Sequence, residues 1–267
     1  MKKTRELNGR ELAGYIKERQ RKAAANLQAN GTQPKLVIVQ TIDNPVIDTY
    51  VRMKRRYGED IGVDVDIQKV DQSKLAETVR AANNDEAVHG MIIQLPLANP
   101  DETNEMLKLV KSDKDVDGLG EEPEFDPATA TAILWLLSGY NVDLRGKKIA
   151  MIGLGRLVGA PLAKMLESSG HEVVKIDEHT ENVPEKVREC EVVVSATGVP
   201  RLVKSDWISP GAVVVDAGTA GEQGEIVGDL DDAVREREDL AALTPLKGGV
   251  GPLTVCALFE NVLKAAR

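Results

Sequence analysis

Short apolar runs alternate with longer amphipathic stretches along most of the chain. Lys35-Leu36-Val37-Ile38-Val39-Gln40 is apolar almost throughout, the pattern of a parallel strand buried on both faces. The residues from about Val46 to Ile61 read as a helix ended by Gly62. Val63 to Val70 reads as the next strand, and Ser73 to Asn83 as a helix with Leu75, Val79 and Ala82 on one stripe. Gly90 to Gln94 is a third strand and Asp101 to Val110 a further helix. This βαβαβα order predicts a parallel sheet with right-handed crossovers.

The pattern breaks between Gly118 and Pro127 into an acidic loop carrying Glu121, Glu122, Glu124 and Asp126. A helix is expected through Ala130 to Leu137, then a connector over Gly139 to Gly146. A second block opens at Lys148-Ile149-Ala150-Met151-Ile152-Gly153 and continues with strands at His171 to Asp177, Glu191 to Ala196 and Ala212 to Asp216. A final helix, Leu253 to Ala266, follows a glycine-rich turn. The fold class is α/β in two domains, divided at 138/139, the second domain (139–252) being of the Rossmann type. A chain of 267 residues favours two domains over one at roughly 150 residues each.

Composition narrows the function. With 42% hydrophobic and 29% charged residues, the chain resembles ordinary globular proteins. No apolar run approaches the ~20 residues that cross a bilayer, and Met1-Lys2-Lys3-Thr4-Arg5-Glu6 lacks a signal peptide's apolar core. A cytoplasmic location without membrane partners is expected. The net charge of −9 argues against nucleic acid, which calls for a basic face. Cys190 and Cys256 stand far apart, and His89, His171 and His179 form no ligand spacing. Neither a disulfide framework nor a metal site is expected.

Gly153-Leu154-Gly155-Arg156-Leu157-Val158-Gly159 follows an apolar strand and opens a helix. Glycines there let backbone approach a pyrophosphate lying on the helix N-terminus. The last glycine comes one residue late for the GxGxxG form. Asp177 ends the next strand roughly 20 residues after Gly155, where a ribose-binding carboxylate is expected. Gly153, Gly155, Arg156, Gly159, Asp177, Thr197 and Gly198 form the expected cofactor-binding set. The cofactor is NAD or NADP. Asp177 points to NAD, because like charges ~4 Å apart repel by roughly 4 kcal/mol at an effective dielectric near 20 and a 2′-phosphate would meet that carboxylate. Glu178 adds to the repulsion, while Arg156, Lys175 and His179 could offset it.

Tyr50 and Lys54 are four apart on a predicted helix and so share a face. Gln94-Leu95-Pro96-Leu97 and Asp115-Val116-Asp117-Gly118 follow at strand ends, where parallel sheets place ligands. Burial or neighbouring cations would lower the lysine pKa, and Arg52, Arg55 and Arg56 supply charge nearby. The plainer reading makes Lys54 part of a solvated basic face, Tyr50 a core aromatic, and Asp115 and Asp117 turn residues.

These pieces, together with Asn44-Pro45, Lys114, Val158-Gly159-Ala160-Pro161 and Gly248-Gly249-Val250-Gly251-Pro252, resemble the methylenetetrahydrofolate dehydrogenase/cyclohydrolase family in order and spacing. The resemblance covers nearly the whole chain. It implies an enzyme of one-carbon metabolism and purine biosynthesis. The enzyme oxidises 5,10-methylenetetrahydrofolate to the methenyl form with hydride transfer to NAD(P), then hydrolyses the product to 10-formyltetrahydrofolate. It also implies a homodimer associated through the nucleotide domain, and a last helix (253–267) that packs back on the first. Carried over by motif, Lys54 is the catalytic lysine of hydrolysis, and Gln94 holds and tunes it. Tyr50 positions or stacks on the folate, and Asp117 binds the pterin ring. Leu95, Pro96, Gly249, Gly251 and Pro252 join Tyr50 and Asp117 as substrate-binding residues.

The chain departs from the family pattern at several positions. Ile47 stands where a serine is common, and the loop after Gly118 is shortened. Leu154 and Gly155 replace a basic residue and a serine, Gly218-Thr219-Ala220 replaces Gly-Ile-Asn, and Lys247 replaces a proline. Two other functions stay open: a monofunctional NAD-dependent dehydrogenase, and a non-catalytic folate- or nucleotide-binding regulator.

Overall fold

A computed structural model describes residues 3–219, 221–222 and 225–267; Ala220, noted above, lies outside them. The elements run β1 (Arg5–Glu6), α1 (Gly9–Ala29), β2 (Lys35–Gln40), α2 (Pro45–Ile61), β3 (Asp64–Lys69), α3 (Leu75–Asn84), β4 (Gly90–Ile93), α4 (Thr103–Lys108) and α5 (Ala128–Gly139). They continue with β5 (Lys148–Ile152), α6 (Gly159–Ser168), β6 (Glu172–Ile176), α7 (Val183–Arg188), β7 (Val192–Ser195), β8 (Val213–Asp216), β9 (Gly221–Glu222), β10 (Glu225–Ile226), α8 (Asp232–Arg235), β11 (Ala242–Leu243) and α9 (Val250–Ala265).

The chain forms two compact units, Met1–Ala13 with Thr129–Thr254, and Gly14–Ala128 with Val255–Arg267. The divisions fall inside α1, α5 and α9 rather than at 138/139. The N-terminus leaves the expected first domain because β1 pairs in parallel with β11 and the Leu7 N–H donates to the Leu243 carbonyl at 2.9 Å. Val255–Arg267 groups with the unit built from the first half of the chain.

That smaller unit has a three-stranded parallel sheet in the order β3-β2-β4. Its central strand, β2, is apolar on both faces because both are covered. Val37 and Val39 face a cluster with Leu75, Val79, Met91, Ile93 and Leu107. Phe259 of α9 is fully buried, and its ring centroid lies 5.2 Å from that of Tyr57 on α2. The fit is close enough that a Cβ at Gly58 would meet both Val65 and Phe259.

The larger unit carries a six-stranded sheet in the order β1-β11-β8-β7-β5-β6, parallel throughout. After β1 the chain enters this sheet at β5, with β6 on one side of it and β7 on the other. The chain reverses its direction of travel across the sheet at β5/β7, and in open α/β sheets such a switch point forms a crevice at the strands' C-terminal ends. Ala150, Ile152, Val193 and Val214 belong to the core beneath it.

Candidate active site

In the smaller unit, the buried stripe of α2 runs Ile47, Val51, Gly58 and Ile61. Lys54 falls on the same stripe, at the helical spacing of a core residue. The residue keeps some exposure, but protein packs densely around it, and this burial pulls the Lys54 pKa below the ordinary lysine range, against the opposing charge of Asp117. The arginines play no part in the shift. Arg52, Arg55 and Arg56 are exposed, with Arg52 donating to Thr49 and Arg55 paired with Glu59. The expectation that they tune the lysine is corrected: they lie off the stripe.

Gln94 directly follows β4, its N–H donating to the Val39 carbonyl at 2.8 Å and so continuing the ladder with β2. The Gln94 Nε2 donates to the Leu95 carbonyl at 2.9 Å. That bond fixes the amide orientation and turns Oε1 to Lys54, whose Nζ donates to it at 2.9 Å. A neutral amine held this way has its lone pair directed elsewhere. Tyr50 sits one turn earlier on α2 and is half-buried; Leu95 is half-buried and Pro96 exposed.

Asp117 lies in a loop that returns beside β4 through a parallel bridge between Met91 and Asp115. Burial raises the Asp117 pKa; Lys54 opposes the rise and Asp115 adds to it. Asp115 is buried, and its carboxylate accepts from the Gly118 N–H at 3.1 Å and the Gly120 N–H at 2.7 Å. Asp115 therefore closes the turn, the structural role that the sequence left open, while Asp117 is free to face the lysine. Gly118 has φ of 69°, and a Cβ there would meet the Phe125 carbonyl at 2.7 Å.

Asn261 of α9 is the residue of this site that sequence reading missed. Its Nδ2 donates to the carbonyls of Val116 and Asp126, both at 3.0 Å, clasping the acidic loop at each end. Its position on an otherwise apolar helix face was the available signal.

In the larger unit, Gly153 ends β5 with φ of 86°, and a Cβ there would meet the Ala196 carbonyl at 2.7 Å and the Thr197 Cα at 2.9 Å. A Cβ at Gly159 would lie 1.8 Å from the Gly153 carbonyl oxygen. These two glycines are required by the packing of the turn on itself. Gly155 is different: it is exposed, and a Cβ there would meet nothing within 4 Å. Helix α6 starts at this turn, and Val158 gives it no side-chain cap. An open glycine beside an uncapped helix start suits a pyrophosphate, so the residues present fit a dinucleotide. Asp177, after β6, accepts from the Thr180 hydroxyl at 2.8 Å and the His179 N–H at 3.1 Å. These bonds hold its carboxyl below the usual range. Lys175 is paired with Glu167 at 2.8 Å, while Arg156, Glu178 and His179 are exposed.

The structure thus brings Tyr50, Lys54, Gln94 and Asp117 into one unit. The glycine turn, Asp177, Thr197 and Gly198 belong to the other, together with Gly249, Gly251 and Pro252. Among the described residues, no group of three or more His, Cys, Asp or Glu is arranged to hold a metal ion, and no helix is long and apolar enough to cross a membrane.

Replacing Asn261 with Leu should leave the fully buried Val116 carbonyl unpaired and cost about 1–3 kcal/mol, read as a lower urea midpoint. An unchanged midpoint would show that the clasp is not needed.

Comparison with known proteins also finds two domains, dividing the chain between residues 117 and 127. A model described as tetrahydrofolate dehydrogenase/cyclohydrolase, catalytic domain, matches residues 7–117. A second, tetrahydrofolate dehydrogenase/cyclohydrolase, NAD(P)-binding domain, matches residues 127–267. The bifunctional protein FolD of Aquifex aeolicus is 36% identical over 274 residues, covering 97% of this chain and 94% of that protein. The mitochondrial C-1-tetrahydrofolate synthase of Saccharomyces cerevisiae is also 36% identical over 286 residues, but the chain spans only 29% of its length. The crystal structure of Trypanosoma brucei methylenetetrahydrofolate dehydrogenase-cyclohydrolase, complexed with NADP cofactor and inhibitor, matches with a TM-score of 0.92 at 31% identity. It covers 100% of this chain and 98% of that one. The chain belongs to the tetrahydrofolate dehydrogenase/cyclohydrolase family.

Proposed function

We propose that this protein oxidises 5,10-methylenetetrahydrofolate to 5,10-methenyltetrahydrofolate and hydrolyses that product to 10-formyltetrahydrofolate. The observation that carries the reading is a lysine amine set in the apolar stripe of α2, depressed in pKa by burial and oriented by Gln94. A pure binding protein has no use for such an amine, which counts against a regulator. With Lys54, Gln94 and Asp117 all in place, the hydrolytic step is retained despite Ile47, which is buried in the α2 stripe.

Neutral Lys54 takes a proton from water as its oxygen bonds to the methenyl carbon. The carbon–N5 bond then breaks as Lys54 passes that proton to N5, and the carbinol oxygen releases its remaining proton to solvent as it becomes the formyl carbonyl. Gln94 keeps one lysine N–H engaged, so the lone pair stays available to the water. Asp117 accepts from the N–H groups of the pterin ring, and Tyr50 stacks on the folate. Leu95 and Pro96 line the same site, and Gly249, Gly251 and Pro252 are further substrate-binding residues on the family pattern. The bound dinucleotide supplies the hydride acceptor. Gly153, Gly155, Arg156 and Gly159 would hold its pyrophosphate, with Thr197 and Gly198 beside them.

The dinucleotide is NAD in preference to NADP. Asp177 is ionised and needs only one oxygen for its turn, leaving the other for a ribose 2′-hydroxyl. Lys175, already paired with Glu167, does not offset the charge. On the same reading the enzyme is a cytoplasmic homodimer associated through its nucleotide-binding unit.

Mixing the protein with 5,10-methylenetetrahydrofolate and NAD or NADP, while following reduced cofactor and methenyl absorbance separately, tests the reading. Reduced cofactor should form and methenyl absorbance should decay; no turnover with either cofactor would overturn it. Lys54→Met should slow hydrolysis by about a hundredfold or more while leaving the circular dichroism spectrum unchanged, and wild-type hydrolysis would remove Lys54 from this role. Turnover should be faster with NAD. Asp177→Asn, which keeps the turn-forming oxygen but not the charge, should shift the NAD:NADP ratio of kcat/KM toward NADP by about tenfold. A wild-type preference for NADP would contradict the reading.

A further inference from the structure

Asp229 is fully buried in the larger unit, and no part of the mechanism above uses it. Its carboxylate accepts three hydrogen bonds, all from the C-terminal end of β7 or just beyond. The Ser195 hydroxyl donates at 2.8 Å, the Thr197 N–H at 2.6 Å and the Gly198 N–H at 3.1 Å. Gly198 has φ of 69°, so consecutive N–H groups of the loop turn inward onto one anion. The carboxylate is itself seated tightly: a Cβ at Gly218 would lie 2.0 Å from its Oδ1. Its own N–H donates to Asp216 at 3.1 Å, and Asp216 is in turn held by Arg235.

The loop pinned in this way lies where the sheet topology places a ligand. β5 and β7 are neighbours at the switch point, and Gly153 of the glycine turn packs directly on Ala196 and Thr197. A change in the conformation of residues 196–198 would therefore reach the turn that receives the pyrophosphate.

We infer that Asp229 is a positioning residue for dinucleotide binding, acting by fixing the 196–198 loop against the glycine turn. The inference rests on the assignment of this unit to NAD(P) and deepens it. Asp229→Asn is nearly isosteric, yet its amide must aim an N–H donor at one of the loop's donors, so one inward bond becomes a repulsion.

Calorimetric titration of the full chain with NAD and with NADP, combined with hydrogen–deuterium exchange, tests this. The Asn variant should bind the preferred dinucleotide about tenfold or more weakly, with faster exchange at the Thr197 and Gly198 amides. Wild-type affinity, or weakened affinity with wild-type exchange at those amides, would overturn the inference. If Asp229→Asn does not fold, Ser195→Ala removes one leg of the latch and should weaken binding about threefold with faster loop exchange; no change in either would overturn it. A wild-type protein that binds neither dinucleotide would instead overturn the assignment of the unit, and this inference with it.

Discussion

An amine occupies a core position, and the proposed hydrolysis depends on that placement. Lys54 falls on the buried stripe of α2 between Val51 and Gly58, where an aliphatic side chain would otherwise stand. Burying an ammonium costs free energy that the group lowers by losing its proton, and the opposing charge of Asp117 limits the shift without cancelling it. Gln94 meets the lysine through a single neutral acceptor. A carboxylate in its place would hold the proton on the amine and remove the base.

In both units, backbone geometry at the C-terminal ends of parallel strands positions the functional groups. Gln94 follows β4, the glycine turn follows β5, Asp177 follows β6 and Thr197 follows β7. Buried polar residues steady each loop. Asp115 and Asn261 fix the loop of Asp117, and Asp229 fixes the loop of Thr197. Each carries a group whose loss would strand buried partners, which makes these supports specific as well as stabilising.

Much of this was legible in the sequence. β2, β4, β5, β7 and β8 announce themselves as short apolar runs because both sheet faces are covered, and the Tyr50, Lys54, Gln94 and Asp117 motifs single out residues that fall in one unit. Helix α1 did not stand out: the buried residues along it are Gly9, Ala13, Gln20 and Ala24, and small or polar side chains leave no strong apolar stripe. The same weakness hides β1 and β11, each two residues long, so the pairing of the N-terminus with the second half of the chain left no mark in the pattern. The arginines around Lys54 misled because sequence proximity does not fix direction: only the stripe at 47, 51, 54, 58 and 61 separates the buried lysine from its exposed neighbours. Asn261 and Asp229 contact partners far away in sequence; a lone polar residue on an apolar helix face flags Asn261, but no local pattern names its partners.

The central claim is that burial keeps the Lys54 amine readily deprotonated. It can be read directly by titrating the lysine Nζ resonances of isotopically labelled protein by NMR, the Lys54 signal being the one missing from the Lys54→Met spectrum. The expected result is a Lys54 midpoint clearly below the ordinary lysine value of about 10.4, falling further in Asp117→Asn, where the charge that favours the ammonium is removed. A Lys54 midpoint at or above the ordinary value would contradict the account.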